Sequence, residues 1–343
     1  MKLREDNQVD GLLVVDKARG PSSHDVVNRI RRVLGQRAVG HAGTLDPMAT
    51  GVLVVLVGNC TKVSQFMALH EKHYEATVQF GAATDTLDAM GEVTHQTGVQ
   101  PWLRDELDAL QRCIDVAGAG AAGAAEVSGM TDEPSATSDG DGRRLMHALA
   151  CERGRTWQVP PVHSAIKHHG QKLYAMARRG ETVQPRQRPV QVLALSVVRA
   201  TGAGGQLVAR MHVSKGYYVR SFARDLGERL GVAAHLASLR RLRSGVWGLE
   251  QAVALDADAR QVRSAIVATE EVVRRELGFA IVSEQGARRA LMGQELSERD
   301  FETVAPRRPC GWFDPNGRLI AIGDWSKGRP TVIRAFLHSD QLC

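Results

Sequence analysis

Only 5% of the 343 residues are aromatic, and the five cysteines are odd in number, widely spaced and free of any Cys-x-x-Cys. That argues against a disulfide framework and against structural zinc. His168 and His169 are adjacent, which is not the spacing of a ligand pair on one helix face, so no metal is expected. No run approaches the roughly 20 apolar residues of a membrane span, and Met1 to Asp10 is charged where a secretory signal would be apolar. A cytoplasmic location without membrane contact is expected, and there the Asn59-Cys60-Thr61 sequon has no consequence.

One stretch lacks positive charge altogether. Asp115 to Gly142 holds six acidic residues and no Lys or Arg, so the rest of the chain carries +12 rather than the overall +6. A surface that basic favours a polyanionic partner such as nucleic acid. Within the same stretch Gly118-Ala-Gly-Ala-Ala-Gly123 matches the dinucleotide fingerprint, but no strand, crossover helix or second strand flanks it. It reads as a flexible acidic insertion, and no cofactor is expected from it.

What the sequence does have is concentrated between Gly40 and Gly51, which read Gly-His-Ala-Gly-Thr-Leu-Asp-Pro-Met-Ala-Thr-Gly. Three glycines free the backbone, Pro47 fixes the turn after Asp46, and an apolar strand follows at Val52 to Val57. This puts one carboxylate, Asp46, at the tip of a stiffened loop, where it is a candidate catalytic group. Before the loop, Gly11 to Asp16 reads as a buried strand. Ser22 and Ser23 offer an N-cap to an amphipathic helix with Arg29, Arg31 and Arg32 on its polar side. Lys17, between them, is a candidate to bind phosphate or to pin the Asp46 loop.

After a helix at Thr61 to Leu69, the residues His73 to Phe80 alternate cleanly, and Tyr74 falls on the apolar face with Ala76, Val78 and Phe80. Gly81 to Val93 reads as a loop with Asp85 and Asp88 as polar candidates. Val99 to Ile114 and the segment near Arg143 read as helices. Pro160 to Tyr174 interleaves basic, histidine and aromatic side chains, the texture of a nucleic-acid contact. Val190 to Ala200 and Leu207 to Ser214 form a hairpin across Gly202 to Gly205. The helix that follows holds Tyr218 and Arg220 in its first turn. An Arg there opposes the helix macrodipole and needs another partner, for which a buried carboxylate is suited. The Arg240, Arg241 and Arg243 cluster adds positive charge near the same end. Beyond about Ala268, short strand-like runs at Phe279 to Val282, Cys310 to Asp314 and Arg318 to Asp324 suggest a small β unit.

At Gly40 to Gly51 the sequence closely resembles the motif of the TruB family of tRNA pseudouridine synthases. The resemblance continues in order. Gly11 to Lys17 with Gly20 and Ser22-Ser23 is similar to the family's opening segment, and Lys72-His-Tyr74 to its tyrosine motif. Pro160 to Lys167 resembles its substrate-gripping insertion, Ser214 to Arg220 its arginine motif, and Leu239-Arg-Arg-Leu242 a further match. The C-terminal part resembles the small RNA-binding PUA fold. Ala18 departs from a common Pro, and His163 stands where an aromatic is common.

The resemblance implies a mixed α/β (α+β) catalytic unit on a large, mainly antiparallel sheet with a central cleft. That unit spans 1–267, with insertions at about 116–142 and 159–189, and 268–343 forms the PUA-like unit. It implies isomerisation of the T-loop uridine of tRNA, position 55, by a monomer needing no cofactor and no protein partner. Asp46 is then the essential carboxylate, acting as nucleophile or as base toward a glycal. Tyr74 stacks on the flipped uracil and is a candidate to take its C5 proton, Arg220 pairs with Asp46, and Tyr218 and Leu239 line the pocket. His41 contacts RNA or packs the loop. Two alternatives are a guide-RNA-dependent synthase subunit and a non-enzymatic tRNA-folding chaperone.

Overall fold

The computed structural model describes residues 8–118, 125–126, 143–164, 167–168, 171–172, 176, 179, 183, 185–303, 309–325 and 328–336. A strand that is apolar at every position must be covered on both faces, whereas alternation leaves one face open. Strand β1 (Gly11–Lys17) is of the first kind through Val15. It pairs along its length with β3 (Thr50–Val57), equally buried, while the short β2 (Val39–Ala42) pairs with the other edge of β3. Strand β4 (Lys72–Phe80) is of the second kind, with Tyr74, Ala76, Val78 and Phe80 buried and the residues between them half-exposed.

These strands belong to an eleven-stranded sheet whose main path runs Val253–Ala254, β1, β3, Ala234–Ser244, β4, Gln206–Val213, Val192–Thr201, Ala125–Glu126. Pairings along it are antiparallel except for β1 with Val253–Ala254 and β3 with Ala234–Ser244. The fold is therefore the mixed α/β arrangement the sequence implies. On the inner face, helix α1 (Ser23–Leu34) and the helices Pro101–Gly118, Arg144–Arg153 and Val219–Leu230 close the main core over Leu13, Val15, Leu53, Tyr74 and Val78. Ser22 caps α1 in a capping box with Asp25, as the sequence suggested.

On the outer face, a second core covers β1, β3 and the end of β2. Leu12, Val14, Val52 and Val54 pack there on Trp247, on Val272 and Val273 of the helix Thr269–Leu277, and on Phe313 and Ile322. The last two belong to a four-stranded sheet built from Phe279–Ile281, Cys310–Phe313, Leu319–Asp324 and Thr331–Ala335.

Three expectations need correction. The helix at Thr61 to Leu69 is a 3-10 segment, Gly58–Val63, followed by one α turn, Ser64–Met67, because Thr61 turns its hydroxyl back onto the Gly58 carbonyl at 2.7 Å. The loop at Gly81 to Val93 is framed by a hairpin, Ala82–Thr84 against Val93–Gln96. The acidic insertion is interrupted: the preceding helix runs to Gly118, and Ala125–Glu126 pairs with Ser196 and Val197 at the sheet edge. The remainder of that stretch, and 13 of the 31 residues in 159–189, lie outside the described residues.

Candidate active site

The Asp46 loop is held from below by groups that sequence alone leaves ambiguous. Asp46-Pro47-Met48-Ala49 forms a turn in which the Ala49 N–H donates to the Asp46 carbonyl at 3.0 Å, with Pro at the position that prefers its fixed φ. Leu45, Met48 and Ala49 point into the core. Ser23 exchanges two hydrogen bonds with Leu45, its hydroxyl donating to the carbonyl at 2.9 Å and accepting from the N–H at 2.8 Å. Lys17 is fully buried, and its ammonium donates to the carbonyls of Ala18, Pro47 and Ala49 at 3.0, 3.2 and 2.6 Å. This geometry supports the pinning role for Lys17 over phosphate binding. Burial pushes its pKa down to about 8, against the pull of Asp46.

Arg241 does the same from the other side. It is 1% exposed, and its guanidinium donates to the carbonyls of Val52 (2.7 Å), Gly43 (3.0 Å) and Thr44 (3.4 Å). Gly51, with φ +98°, lies so close to the Arg241 backbone that a Cβ there would sit 2.2 Å from its carbonyl oxygen, which only glycine avoids. The arginine cluster is thus not a free basic patch. Arg240 pairs with Asp16 at 2.7 Å and Arg243 with Glu250 at 2.7 Å. On α1, Arg29 donates to the Leu255 carbonyl and Arg31 to that of Val39, so part of that basic face also turns inward.

Above this floor, Arg220 meets Asp46. Nε lies 2.9 Å from Oδ2 and Nη2 3.3 Å from Oδ1, a two-point contact. The Arg220 side chain is 6% exposed whereas that of Asp46 is 33% exposed, so the carboxylate keeps one side open to the cleft. The remaining donors of Arg220 reach the carbonyls of Thr86 at 3.1 Å and His163 at 2.9 Å, and Asp88 lies 3.8 Å away. Asp88 is itself fixed by the Thr86 hydroxyl and the Met90 N–H, while Asp85 accepts from Glu92 and serves its turn. Between Thr86 and Asp88, Leu87 has φ +64°, the only positive value at a non-glycine among the described residues. That strain aims the Thr86 carbonyl and the Asp88 side chain at the same arginine.

Burial pushes the Asp46 carboxyl above the ordinary carboxylate range. Arg220 opposes the shift, Asp88 adds to it and Lys17 opposes it. Arg220 is therefore the chief group keeping this carboxylate ionised. Tyr218 is half-buried at the N-cap of the Arg220 helix, and burial raises its phenol, with Asp46 also contributing upward and Arg188 and Arg220 pulling down. Tyr74 lies on β4 opposite Arg241, and Leu239, 7% exposed, lies opposite Ala76 on the same strand pair. His41 sits on β2, opposite Val55, with a buried Nδ1 that has no hydrogen-bond partner among the described residues. Burial and Arg241 push its pKa down, so its ring is neutral near pH 7. Among the described residues no group of three His, Cys, Asp or Glu side chains is placed to hold a metal ion.

The model of the TruB family pseudouridylate synthase N-terminal domain matches residues 31–115 and 124–219. The chain belongs to the TruB family. Its relatives include tRNA pseudouridine synthase B of Thermobifida fusca, 38% identical over 335 residues, 95% of this chain and 99% of that protein. The namesake of Opitutus terrae is 38% identical over 250 residues, 73% and 87% of the two chains. Among solved structures, a chain of a Cbf5-Nop10-Gar1 complex superposes with a TM-score of 0.62 at 22% identity, covering 96% of this chain and 86% of that one. A chain of an H/ACA ribonucleoprotein bound to a substrate RNA containing 2'-deoxyuridine gives 0.60 at 19%. At such identity these two speak to the fold alone.

In this TruB-family chain the contacts that a sequence reader misses are made by backbone carbonyls and by one buried amide. Gln158, 1% exposed, accepts from the Tyr218 N–H at 2.8 Å and donates to the Tyr218 carbonyl at 3.1 Å. A glutamine at the edge of a proline-rich segment gives no signal for that.

Proposed function

We propose that this chain is a stand-alone tRNA pseudouridine synthase that isomerises uridine 55 of the T loop, acting as a cytoplasmic monomer without cofactor or guide RNA. In the reaction the N1–C1' bond breaks, the uracil turns, and C5 bonds to C1'. The C5 proton leaves to water and N1 ends protonated, so atoms balance with no co-reactant. The chemistry needs an ionised carboxylate beside the sugar, a flipped base and a route for the C5 proton. Asp46 supplies the carboxylate, as nucleophile or as base toward a glycal. Tyr74 receives the uracil face and is the candidate to take its C5 proton. Tyr218 and Leu239 complete the pocket wall, and His41 meets RNA beside the flipped base.

The observation that carries this reading is the Asp46–Arg220 pair. A carboxylate gripped at two points on one side and one-third exposed on the other is built to present charge to a ligand. The names of the relatives support tRNA as substrate. No helix among the described residues is long and apolar enough to cross a membrane. We divide the chain at 267/268 into the catalytic unit and a PUA-like RNA-binding unit.

The test uses purified protein alone and an unmodified T-arm stem-loop carrying tritium at uridine C5. Tritium release without guide RNA, metal or nucleotide is expected, with loss of more than about 1,000-fold in Asp46→Asn while RNA binding is retained. Release that requires an added guide RNA would favour the guide-dependent subunit. Tight binding without release would favour the chaperone.

A further inference from the structure

The insertion that is expected to grip RNA begins and ends at one point. Trp157–Gln158 pairs antiparallel with Arg188–Pro189, so residues 159–187 leave and return through a two-rung ladder. At the ladder itself, a buried side chain, Gln158, reaches the cap of the helix carrying Arg220. The Gln158 carboxamide pairs with both backbone groups of Tyr218, accepting from the N–H at 2.8 Å and donating to the carbonyl at 3.1 Å.

Tyr218 is the N-cap of this helix, with extended backbone angles (φ −112°, ψ 113°) and no side-chain cap of its own. A helix N-terminus leaves its first N–H groups without intrahelical partners, so its orientation rests on whatever fixes the cap. Here, besides Thr86 and Asp46 on Arg220, several of the fixing groups come from the insertion. Besides Gln158, the Ser221 hydroxyl donates to the Val159 carbonyl at 2.8 Å, Arg224 Nη2 to the same carbonyl at 3.1 Å, and Arg220 Nη2 to the His163 carbonyl at 2.9 Å. Arg220 stands two residues beyond the cap. A tilt of the first turn moves its fork, and the fork has two carboxylate contacts to lose.

We propose that Gln158 is a positioning residue for the isomerisation: its carboxamide fixes the Tyr218 backbone on both sides of its Cα and thereby seats the Arg220 fork on Asp46. The consequence is a mechanical link between substrate and chemistry. RNA pulling on either arm of the insertion loads the ladder, and the ladder bears on the cap of the catalytic arginine. This inference rests on the proposed activity and names a residue that touches neither substrate nor Asp46.

Three variants of the full chain test it: Gln158→Met keeps the side-chain length and removes both bonds, Gln158→Glu keeps the acceptor and loses the donor, and Gln158→Ala removes the side chain. Single-turnover tritium release at saturating enzyme is measured with T-arm affinity, thermal midpoint and the pH profile of the rate. For Gln158→Met the rate should fall about 10-fold, with affinity within about 3-fold of wild type, since two modest hydrogen bonds are lost. Gln158→Glu should lie between wild type and Gln158→Met.

The acid limb of the profile should move to higher pH, because Asp46, faced by Arg220, Lys17, Asp88 and Tyr218, loses part of the contact that keeps it ionised. A fall in thermal midpoint or affinity with unchanged rate and profile would overturn the proposal, making Gln158 structural. Wild-type release with an unaltered Gln158→Met rate overturns this inference alone. Absence of release from the wild type overturns both.

Discussion

The helix Val219–Leu230 carries two arginine–carboxylate constellations about one turn apart, and they are built to opposite ends. At its start Arg220 grips Asp46, whose side chain is 33% exposed. Around Asp225 the partners are Arg155, which forks onto Glu152 and reaches Asp225 at 3.4 Å, and Arg224, 2.5 Å from the same aspartate. The Glu152 side chain is 0% exposed. Burial pushes both Asp46 and Glu152 upward, and an arginine opposes the shift at each. A perturbed carboxyl therefore does not distinguish a reactive site from a structural one. Access does: one carboxylate has a free side and the other has none.

Exchanging each arginine for methionine separates the two. Arg220→Met should lower the isomerisation rate about 1,000-fold, the scale of losing a preorganised charged donor, with T-arm affinity little changed. Its sign in pH is fixed. Without Arg220 the already raised Asp46 carboxyl rises further, so the acid limb of the rate profile moves to higher pH. The thermal midpoint should change little, because Asp46 can be solvated or protonated from its open side.

Arg155→Met should do the reverse. It leaves Glu152 sealed in the core with Arg229 at 3.9 Å as its other cation among the described residues, and removing one partner of a buried pair costs about 3–5 kcal/mol. Denaturant melts should show that loss, while the rate of the folded enzyme stays within about 2-fold. Glu152 titrates above its unfolded value, so the folded state binds the extra proton and stability falls as pH rises through the folded pKa. The Arg155→Met deficit should accordingly be larger at pH 8 than at pH 5. An equal deficit at both would show that Glu152 carries no special penalty.

This contrast also marks how far sequence can be read. Tyr74 was legible because β4 alternates, and Arg220 because an arginine is misplaced in a helix's first turn. Arg241 was not, since in a run of Leu-Arg-Arg-Leu only strand register decides which arginine turns inward onto the Asp46 loop. The Thr86 and His163 carbonyls that clamp Arg220 leave no trace in side-chain chemistry, and Leu87 is a residue no reader would place at positive φ. The sheet was legible because periodicity encodes it. The clamp was not, because it is written in the backbone.

The smallest effect gives the sharpest form of the comparison, because two neighbouring tyrosines face the two constellations. Tyr218 lies half-buried beside Asp46, Arg220 and Arg188. The fully buried phenol of Tyr217 feels Glu152, Arg155 and Asp225, and burial raises it well above its usual range. Tyr218→Phe removes a hydroxyl near Asp46 and Arg220 and should slow single-turnover release about 3- to 10-fold with no loss of stability. Tyr217→Phe removes a hydroxyl from the sealed cluster and should cost about 1 kcal/mol of stability with the rate within about 2-fold of wild type. If Tyr217→Phe slows release as much as Tyr218→Phe does, the sealed cluster is not a passive anchor. The helix would then transmit its packing to Arg220, and the two constellations would be one device read at two points.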